Sequence, residues 1–215
     1  MHHTAPVGPE QRQNLQATRS APSDRDRAFY EGKIASAKWF AASVFPELTS
    51  KRAIAEATDL PIIAYNIPSR CVVDVPNDLL RELAQTIPEV QAVKQANNDN
   101  LEAIDGLDLL AGNDDILART MELGGTGGIC VASHLFGNEM KRIVEEPDAR
   151  QELHASLEDA FRALSVTTNP MPIKAALRMA GHQVGGFRLP MVDLSEEEEA
   201  EVRAMLERYG LLSTV

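Results

Sequence analysis

Between residues 57 and 136, short apolar runs alternate with stretches of helical periodicity. The apolar runs have the length of buried strands, and they cover residues 61–65, 90–94, 107–111 and 128–131. Helices are predicted between them, near residues 77–85, 100–104 and 114–123. Because tight hairpins cannot connect neighbouring parallel strands, strands joined by single helices pair in parallel. The pattern therefore predicts an α/β fold with half of a (β/α)8 barrel.

The segments on either side of this region have different patterns. Residues 1–26 are rich in polar residues and lack apolar periodicity, which predicts a disordered tail. Residues 27–56 predict two helices separated by Pro46, and residues 137–215 predict a C-terminal helical region. The C-terminal helices are expected near residues 137–145, 148–164, 171–180 and 195–209. We expect Asn77 to cap the first helix of the half barrel, residues 57–136.

Composition excludes several classes of function. The 215 residues carry a formal net charge of -11, which opposes binding to the phosphate backbone of nucleic acids. The acidic run 196–199 is typical of the solvated first turn of a helix. No apolar stretch reaches the ~18 residues of a membrane span, and no secretory leader is recognisable, so we predict a cytoplasmic protein. Cys71 and Cys130 are far apart and have no neighbours at metal-ligand spacing, which predicts reduced thiols and no metal site.

Polar residues follow the predicted strands at the end where a parallel barrel gathers its functional groups. Tyr65 and Arg70 follow the first strand, and Lys94 ends the second, otherwise apolar, strand. Burial can lower the pKa of a lysine, and the neutral amine can then attack a carbonyl group to form a Schiff base. The alternative is a solvated lysine at a strand end.

The third strand is followed by Gly112, Asn113 and Asp114. The small glycine would let the backbone approach a ligand closely, which makes Gly112 and Asn113 candidate substrate-binding residues. The alternative is that Asn113 or Asp114 caps the next helix. The glycines in residues 124–128 precede a strand rather than a helix, so we interpret them as residues of a tight turn and not as a phosphate loop.

Four motifs together resemble the dihydrodipicolinate synthase and N-acetylneuraminate lyase superfamily. They are Tyr-Asn-Ile-Pro-Ser-Arg at 65–70, Ala-Val-Lys-Gln-Ala at 92–96, Ala-Gly-Asn-Asp-Asp at 111–115 and Gly-Gly-Thr-Gly-Gly-Ile at 124–129. Their order and spacing fit the superfamily, and segments 168–174 and 188–190 are similar to its helical C-terminal region. The resemblance covers roughly residues 53–215 and implies the last four strand–helix units of a (β/α)8 TIM barrel.

The resemblance also implies an activity. Lys94 would form an imine with pyruvate, and Tyr65 would relay protons and orient the adduct. Arg70 would bind the carboxylate of aspartate semialdehyde, while Asn113 and the backbone of Ile129 would line the pocket. The implied enzyme is a pyruvate-dependent lyase of lysine (diaminopimelate) biosynthesis, which needs neither a metal nor an organic cofactor.

The family's barrel has four further strands before the region matched here. Without them we expect weak turnover or none, and the open strand edges predict a homo-oligomer. Residues 28–41 resemble the C-terminal helices of acyl-CoA dehydrogenases, so we interpret residues 27–56 as a segment of foreign type. Two alternatives stay open: another pyruvate-dependent aldolase, acting on sialic or sugar acids, and a non-catalytic fragment that binds pyruvate or a partner.

Overall fold

A parallel sheet of five strands organises the part of the chain that the computed structural model describes, residues 38–40, 55–56 and 60–212. The strands are β1 (Lys38–Phe40), β2 (Ile62–Asn66), β3 (Val90–Gln95), β4 (Asp108–Ala111) and β5 (Gly127–Gly128). Their spatial order is their order in the sequence, and every neighbouring pair is parallel. This is the arrangement expected of consecutive strand–helix units, and β2 to β5 confirm the four predicted strands.

Helices connect the strands and form the C-terminal part of the chain. They are α1 (Pro68–Cys71), α2 (Asn77–Thr86), α3 (Leu117–Glu122), α4 (Gly137–Glu145), α5 (Arg150–Ser156), α6 (Glu158–Ala163), α7 (Met171–Met179) and α8 (Glu196–Arg208). Short 3-10 turns cover Asn98–Asn100, Asp114–Ile116 and Ala132–His134. The helix predicted over 148–164 is two helices, because the Leu157 amide donates to the His154 carbonyl and tightens the backbone there.

The helical prediction for residues 28–57 is wrong at Lys38–Phe40, which forms β1. This strand pairs with β2 in the register Lys38 to Ile62, Trp39 to Ile63 and Phe40 to Ala64. The edge of β2 offers unpaired N–H and C=O groups, with which residues 38–40 pair. Because β2 is more than 20 residues away in the sequence, the local pattern of apolar residues around 38–40 does not indicate this pairing. Residues 55–56 are helical, as predicted. The rest of this segment and the predicted disordered tail, residues 1–26, lie outside the described residues.

Two local predictions between β2 and β4 also fail. Asn77 does not cap α2; Pro76 holds the cap position, and the Asn77 amide donates to Glu102 Oε2 at 2.8 Å instead. The helix expected near residues 100–104 is replaced by the 3-10 turn Asn98–Asn100. That turn begins earlier because the Asn97 side chain accepts the amide N–H of Asp99, which satisfies a donor at its start.

The two faces of the sheet differ in burial. On one face the side chains of Ala64, Val93 and Leu109 are buried in a cluster with Leu80 and Leu83 of α2. On the other face lies a row of half-buried positions, Tyr65, Lys94 and Leu110, which are paired partners across β2, β3 and β4. The helices therefore support the sheet from behind, and the candidate site occupies the opposite face.

A second core joins the C-terminal helices to the last strands. Buried residues of α3, α4, α6, α7 and α8 form one cluster with Ala111 of β4. Helix α8 begins with a capping box in which Ser195 and Glu198 exchange side-chain to backbone hydrogen bonds. The acidic run 196–199 is therefore the first turn of a helix, as predicted.

Val72 occupies a backbone conformation that favours glycine. Its φ is +63°, in the left-handed region, where a β-branched residue is strained by about 1–2 kcal/mol. Its side chain is 93% exposed, so removing it sacrifices little burial. We expect Val72→Gly to raise the free energy of unfolding by roughly 0.5–1 kcal/mol, since glycine's greater freedom in the unfolded chain offsets part of the relief.

Thermal unfolding followed by circular dichroism measures this effect. Val73→Gly is the matched control: Val73 is half-buried and has no positive φ, so the same substitution should destabilise the protein there. A lower melting temperature for Val72→Gly than for the unmodified protein would contradict the prediction.

Candidate active site

Lys94 and Tyr65 lie side by side at the carboxyl ends of adjacent strands. They are register partners on β3 and β2, so both side chains project from the same face of the sheet. The Lys94 Nζ atom lies 4.0 Å from the centroid of the Tyr65 ring, within the range of a cation–π contact. The structure thus brings together the two residues that the sequence singled out for catalysis.

Burial makes the Lys94 amine easier to deprotonate than an ordinary lysine. Desolvation lowers its pKa, and the negative charges assigned to Cys130 and Asp114 partly oppose that effect. Burial also raises the pKa of the Cys130 thiol far above neutrality, so this group stays protonated and contributes no charge at neutral pH. Asp114 is therefore the group that counters the desolvation of Lys94; burial raises the pKa of its own carboxyl, and hydrogen bonds from the Ala132 and Val131 backbones partly offset that rise. The result is a lysine with a larger neutral fraction than a solvated one.

Tyr65 stays protonated at neutral pH. Desolvation raises the pKa of its hydroxyl, while the positive charge of Arg70 lowers it and Cys71 raises it. A protonated phenol can both donate and accept a hydrogen bond. Tyr65 therefore has the chemistry of a proton relay next to the amine.

Arg70 lies on α1 and is held from the C-terminal part of the chain. Its two terminal guanidinium nitrogens donate to the backbone carbonyl of Asn169, each at 3.4 Å. These are long bonds, and the side chain is exposed. The remaining donors of the guanidinium could form a two-pronged interaction with a carboxylate.

Asn113 and Asp114, which follow β4, form hydrogen bonds within the protein. The Asn113 amide donates to the Ala96 carbonyl at 3.2 Å and to Asn98 Oδ1 at 3.0 Å, and it makes no capping bond. Asp114 does not cap a helix either, because its Oδ1 accepts the backbone N–H of Ala132 at 2.9 Å. Asn113 therefore holds the N-cap position of the 3-10 turn Asp114–Ile116 without a side-chain capping bond, and the capping alternative is wrong for Asp114.

Gly112 and Ile129 have clear backbone roles. The Gly112 N–H donates to the Gln95 carbonyl at 2.7 Å, and a Cβ atom at Gly112 would lie 2.7 Å from that oxygen. Only glycine allows so close an approach. The Ile129 N–H is used by the Ala111 carbonyl at 2.9 Å, so only the Ile129 carbonyl is left for a ligand.

Sequence reasoning missed three groups of this site. Asp114, only 8% exposed, partly opposes the lowering of the Lys94 pKa, and the Cys130 thiol, which stays protonated, is the second group beside the amine. Asp74, beyond α1, accepts hydrogen bonds from three asparagine side chains, those of Asn66, Asn97 and Asn100. The available signal was the asparagine that ends β2, Asn66, together with the asparagines directly after β3. Neither Cys71 nor Cys130 forms a disulfide in the structure.

Within the described ranges, 38–40, 55–56 and 60–212, no helix has the length and apolar character needed to cross a bilayer. Over the same residues, no three His, Cys, Asp or Glu side chains gather closely enough to hold a metal ion. The amine of Lys94 and the phenol of Tyr65 lie on the same face of the sheet, and the positive charge of Arg70 acts on that phenol.

Comparison with known proteins finds matches to two family models. The model of the dihydrodipicolinate synthetase family matches residues 40–209. A model described as acetyl-CoA dehydrogenase C-terminal like matches residues 11–66. The two matches overlap over residues 40–66, where residues 62–66 form β2 of the parallel sheet.

Two curated relatives have the same activity in their names. The chain is 36% identical over 167 residues to the 4-hydroxy-tetrahydrodipicolinate synthase of Listeria monocytogenes, covering 72% of this chain and 57% of the relative. It is 35% identical over 172 residues to that of Aquifex aeolicus, covering 74% and 58%. The chain thus spans a little over half the length of the curated relatives it matches.

The solved structures support the same fold. A dihydrodipicolinate synthase from Cyanidioschyzon merolae with lysine bound has a TM-score of 0.72 at 35% identity, covering 76% of this chain and 60% of that one. The structure from Thermotoga maritima has a TM-score of 0.77 at 29% identity, covering 86% and 70%. The prediction of a partial (β/α)8 barrel followed by helices is confirmed.

Proposed function

Because the chain belongs to the dihydrodipicolinate synthetase family, we propose that it is a pyruvate-dependent lyase that forms a Schiff base on Lys94. The observation that carries this proposal is the half-buried Lys94 amine, whose pKa burial lowers and which lies against the ring of Tyr65. A neutral amine is the form that attacks a ketone. The geometry supports that chemistry without an added cofactor.

The proposed reaction begins with attack of the Lys94 nitrogen on the keto carbon of pyruvate. The keto oxygen leaves as water together with the two protons of the amine, and a carbon–nitrogen double bond, the imine, replaces the carbonyl. When protonated, the imine draws electrons from the neighbouring methyl group, so that group can lose a proton and act as a carbon nucleophile. The Tyr65 phenol is the proton carrier that lies nearest to the amine.

The chemistry of Arg70 indicates the class of the second substrate. Its exposed guanidinium suits a carboxylate, which supports aspartate semialdehyde as the aldehyde partner and lysine biosynthesis as the setting. In this proposal Asn113, Gly112 and the Ile129 carbonyl line the pocket. The competing aldolases, which act on sialic or sugar acids, would instead place hydroxyl groups near Arg70.

Assembly and location remain part of the proposal. We propose a homo-oligomer, since parallel sheets are usually covered on both faces and the Lys94 face is half-buried among the described residues. Sizing of the purified protein tests this. The cytoplasmic location expected from the sequence stays a prediction.

Borohydride trapping tests the lyase proposal. The protein is incubated with pyruvate, reduced with borohydride, digested and mapped by mass spectrometry. We expect the reduced pyruvate adduct on the peptide that contains Lys94. The peptide that contains Lys141, which is an exposed lysine, serves as the internal control and should carry little adduct. The yield should rise with pH as the amine loses its proton.

Two results would contradict the proposal. One is the absence of an adduct on Lys94, which would leave a non-catalytic scaffold as the better explanation. The other is equal labelling of Lys94 and Lys141, which would show only the ordinary reactivity of lysine. Omitting pyruvate or borohydride controls for unrelated mass changes.

A further inference from the structure

Asp74 joins the carboxyl ends of β2 and β3 through side-chain hydrogen bonds. Its Oδ1 accepts from the amide nitrogens of Asn66 at 2.8 Å and Asn97 at 3.0 Å. Its Oδ2 accepts from the amide nitrogen of Asn100 at 2.7 Å. We call these four residues the Asp74 cluster. Asp74 is itself exposed, but hydrogen bonds to a carboxylate are shorter and stronger than those between neutral groups, so the three bonds connect the two strand ends.

On the β2 side, the cluster reaches the residue next to Tyr65. Asn66 is fully buried, at 0% exposure, and its side chain both accepts the Val75 N–H at 3.1 Å and donates to the Val75 carbonyl at 3.2 Å. The Asn66 carbonyl also accepts the Ala96 N–H at 2.9 Å. Asn66 cannot rotate without losing these bonds, so they hold the backbone at the end of β2. The direction of the Tyr65 side chain, on the preceding residue, is held with it.

On the β3 side, the cluster reaches the residue next to Lys94. The Asn97 N–H donates to the side-chain oxygen of Gln95 at 2.9 Å, and Gln95 is 1% exposed. The Gln95 amide in turn donates to the Asn100 carbonyl at 3.4 Å. The turn that carries Asn97 and Asn100 is thus attached to the strand end immediately after Lys94.

From these contacts we infer that Asp74 is a positioning residue, which holds the ends of β2 and β3 together and keeps the Lys94 amine against the Tyr65 ring. The inference deepens the proposed function, because it rests on Lys94 as the reacting group. Asp74 also follows α1, the helix that carries Arg70, so the same carboxylate anchors the segment beyond that helix. Loss of the anchor would let the end of β3 move and water reach the amine.

The direct effect of the Asp74 charge has the opposite sign to this positioning effect. Removing a nearby negative charge would make the Lys94 amine lose its proton more readily, whereas admitting water would make it hold that proton more strongly. The titratable groups that face Lys94 are Tyr65, Asp114 and the protonated Cys130 thiol, and Asp74 is not among the causes that shift the Lys94 pKa. The direction of change therefore separates the two explanations.

The test measures Lys94 itself without any substrate. The full chain is labelled with trace acetic anhydride across a pH series, and acetylation of Lys94 is quantified by mass spectrometry to give its titration midpoint. The variants are Asp74→Asn, which puts an amide group in front of the asparagine donors, and Asn100→Ala, which keeps the carboxylate but removes one donor. Asp78→Asn is the matched control, because the Asp78 side chain is 96% exposed and pairs with Arg81 on the same helix.

We expect the midpoint of Lys94 to move up by about half a pH unit in Asp74→Asn and in the same direction in Asn100→Ala. Asp78→Asn should coincide with the unmodified protein. Circular dichroism at the labelling temperature confirms that each variant is folded. A downward shift would show a charge effect alone, and midpoints that coincide with the unmodified protein would show no coupling; either overturns the inference. If Asp74→Asn does not fold, Asn100→Ala decides the matter by the same criterion.

Pyruvate trapping on the same variants separates this inference from the proposed function. We expect trapping at neutral pH to be roughly threefold slower in Asp74→Asn, because half a pH unit changes the neutral fraction of an amine by that factor. Absence of the adduct in the unmodified protein would remove the lyase proposal. The acetylation midpoints do not depend on pyruvate, so they would still decide whether Asp74 positions Lys94.

Discussion

Replacing Lys94 by methionine is expected to abolish the pyruvate adduct without destabilising the protein. Methionine keeps the length of the side chain but has no nucleophilic nitrogen, so trapping should fall to the level seen without pyruvate. Its thioether can maintain a favourable contact with the Tyr65 ring in place of the cation–π contact. Borohydride trapping and urea unfolding measure the two effects on the same samples.

The stability difference should depend on pH in a defined direction. Burial lowers the pKa of Lys94 in the folded protein below its unfolded value, 10.5. Between these two pKa values the unfolded chain binds more protons, so the stability of the unmodified protein rises with pH in that window. At lower pH the folded state carries the full desolvation penalty of the ammonium group. Lys94→Met should therefore be at least as stable at neutral pH, and its advantage should shrink as the pH approaches 10.5.

Lys141→Met is the control, because Lys141 is exposed and lies on α4. It should trap pyruvate as the unmodified protein does, and the stability difference should not follow the same window. A full yield of adduct in Lys94→Met would mean that another lysine reacts. A large loss of stability at neutral pH would mean that the ammonium group of Lys94 stabilises the fold, contrary to its desolvation.

Leu80→Ala is expected to produce a large loss of stability. Leu80 is fully buried, at 0% exposure, and belongs to the cluster that joins α2 to β2, β3 and β4. Removing a leucine side chain from such a place leaves a cavity, which lowers the free energy of unfolding by about 2–5 kcal/mol. Because α2 supports the sheet on the face opposite Lys94, the loss should also lower the fraction of protein that can react with pyruvate.

Leu79→Ala offers a matched comparison on the same helix. Leu79 is only half-buried at the edge of the same cluster, so the identical change should cost less. The change in helix propensity is similar in the two variants, and their difference therefore isolates burial. Urea unfolding gives both free energies, provided that the slope with denaturant is unchanged. An equal or smaller loss for Leu80→Ala would show that this core relaxes around the cavity.

Local pattern was enough to find most of the sheet. The runs at residues 61–65, 90–94 and 107–111 differ from β2, β3 and β4 by no more than a residue at either end, because a buried strand needs a short apolar run wherever it pairs. The strand predicted over 128–131 is the two-residue β5, Gly127–Gly128. A Cβ at Gly128 would lie 2.8 Å from side-chain atoms of both Leu117 and Cys130, so a larger residue there would require these side chains to move.

The candidate site was found in part. Lys94 and Tyr65 are conspicuous because each is a polar side chain in an apolar strand, and their roles stay predictions. Asp74 was missed because it belongs to no strand, and it matters only through asparagines 8 to 26 positions away in the sequence. Contacts of that kind have no periodicity from which they could be inferred.

The sequence by itself determined the order of strands and helices, the family and the two residues proposed for catalysis, because these depend on local pattern and on motifs read along the chain. The tertiary structure decided that residues 38–40 form a strand, that the Lys94 amine lies on the Tyr65 ring and that Asp74 joins two strand ends. Each of these depends on partners brought together by folding. Burial and hydrogen bonding between distant residues determine the pKa of an amine, and neither can be inferred from the residues next to it in the sequence.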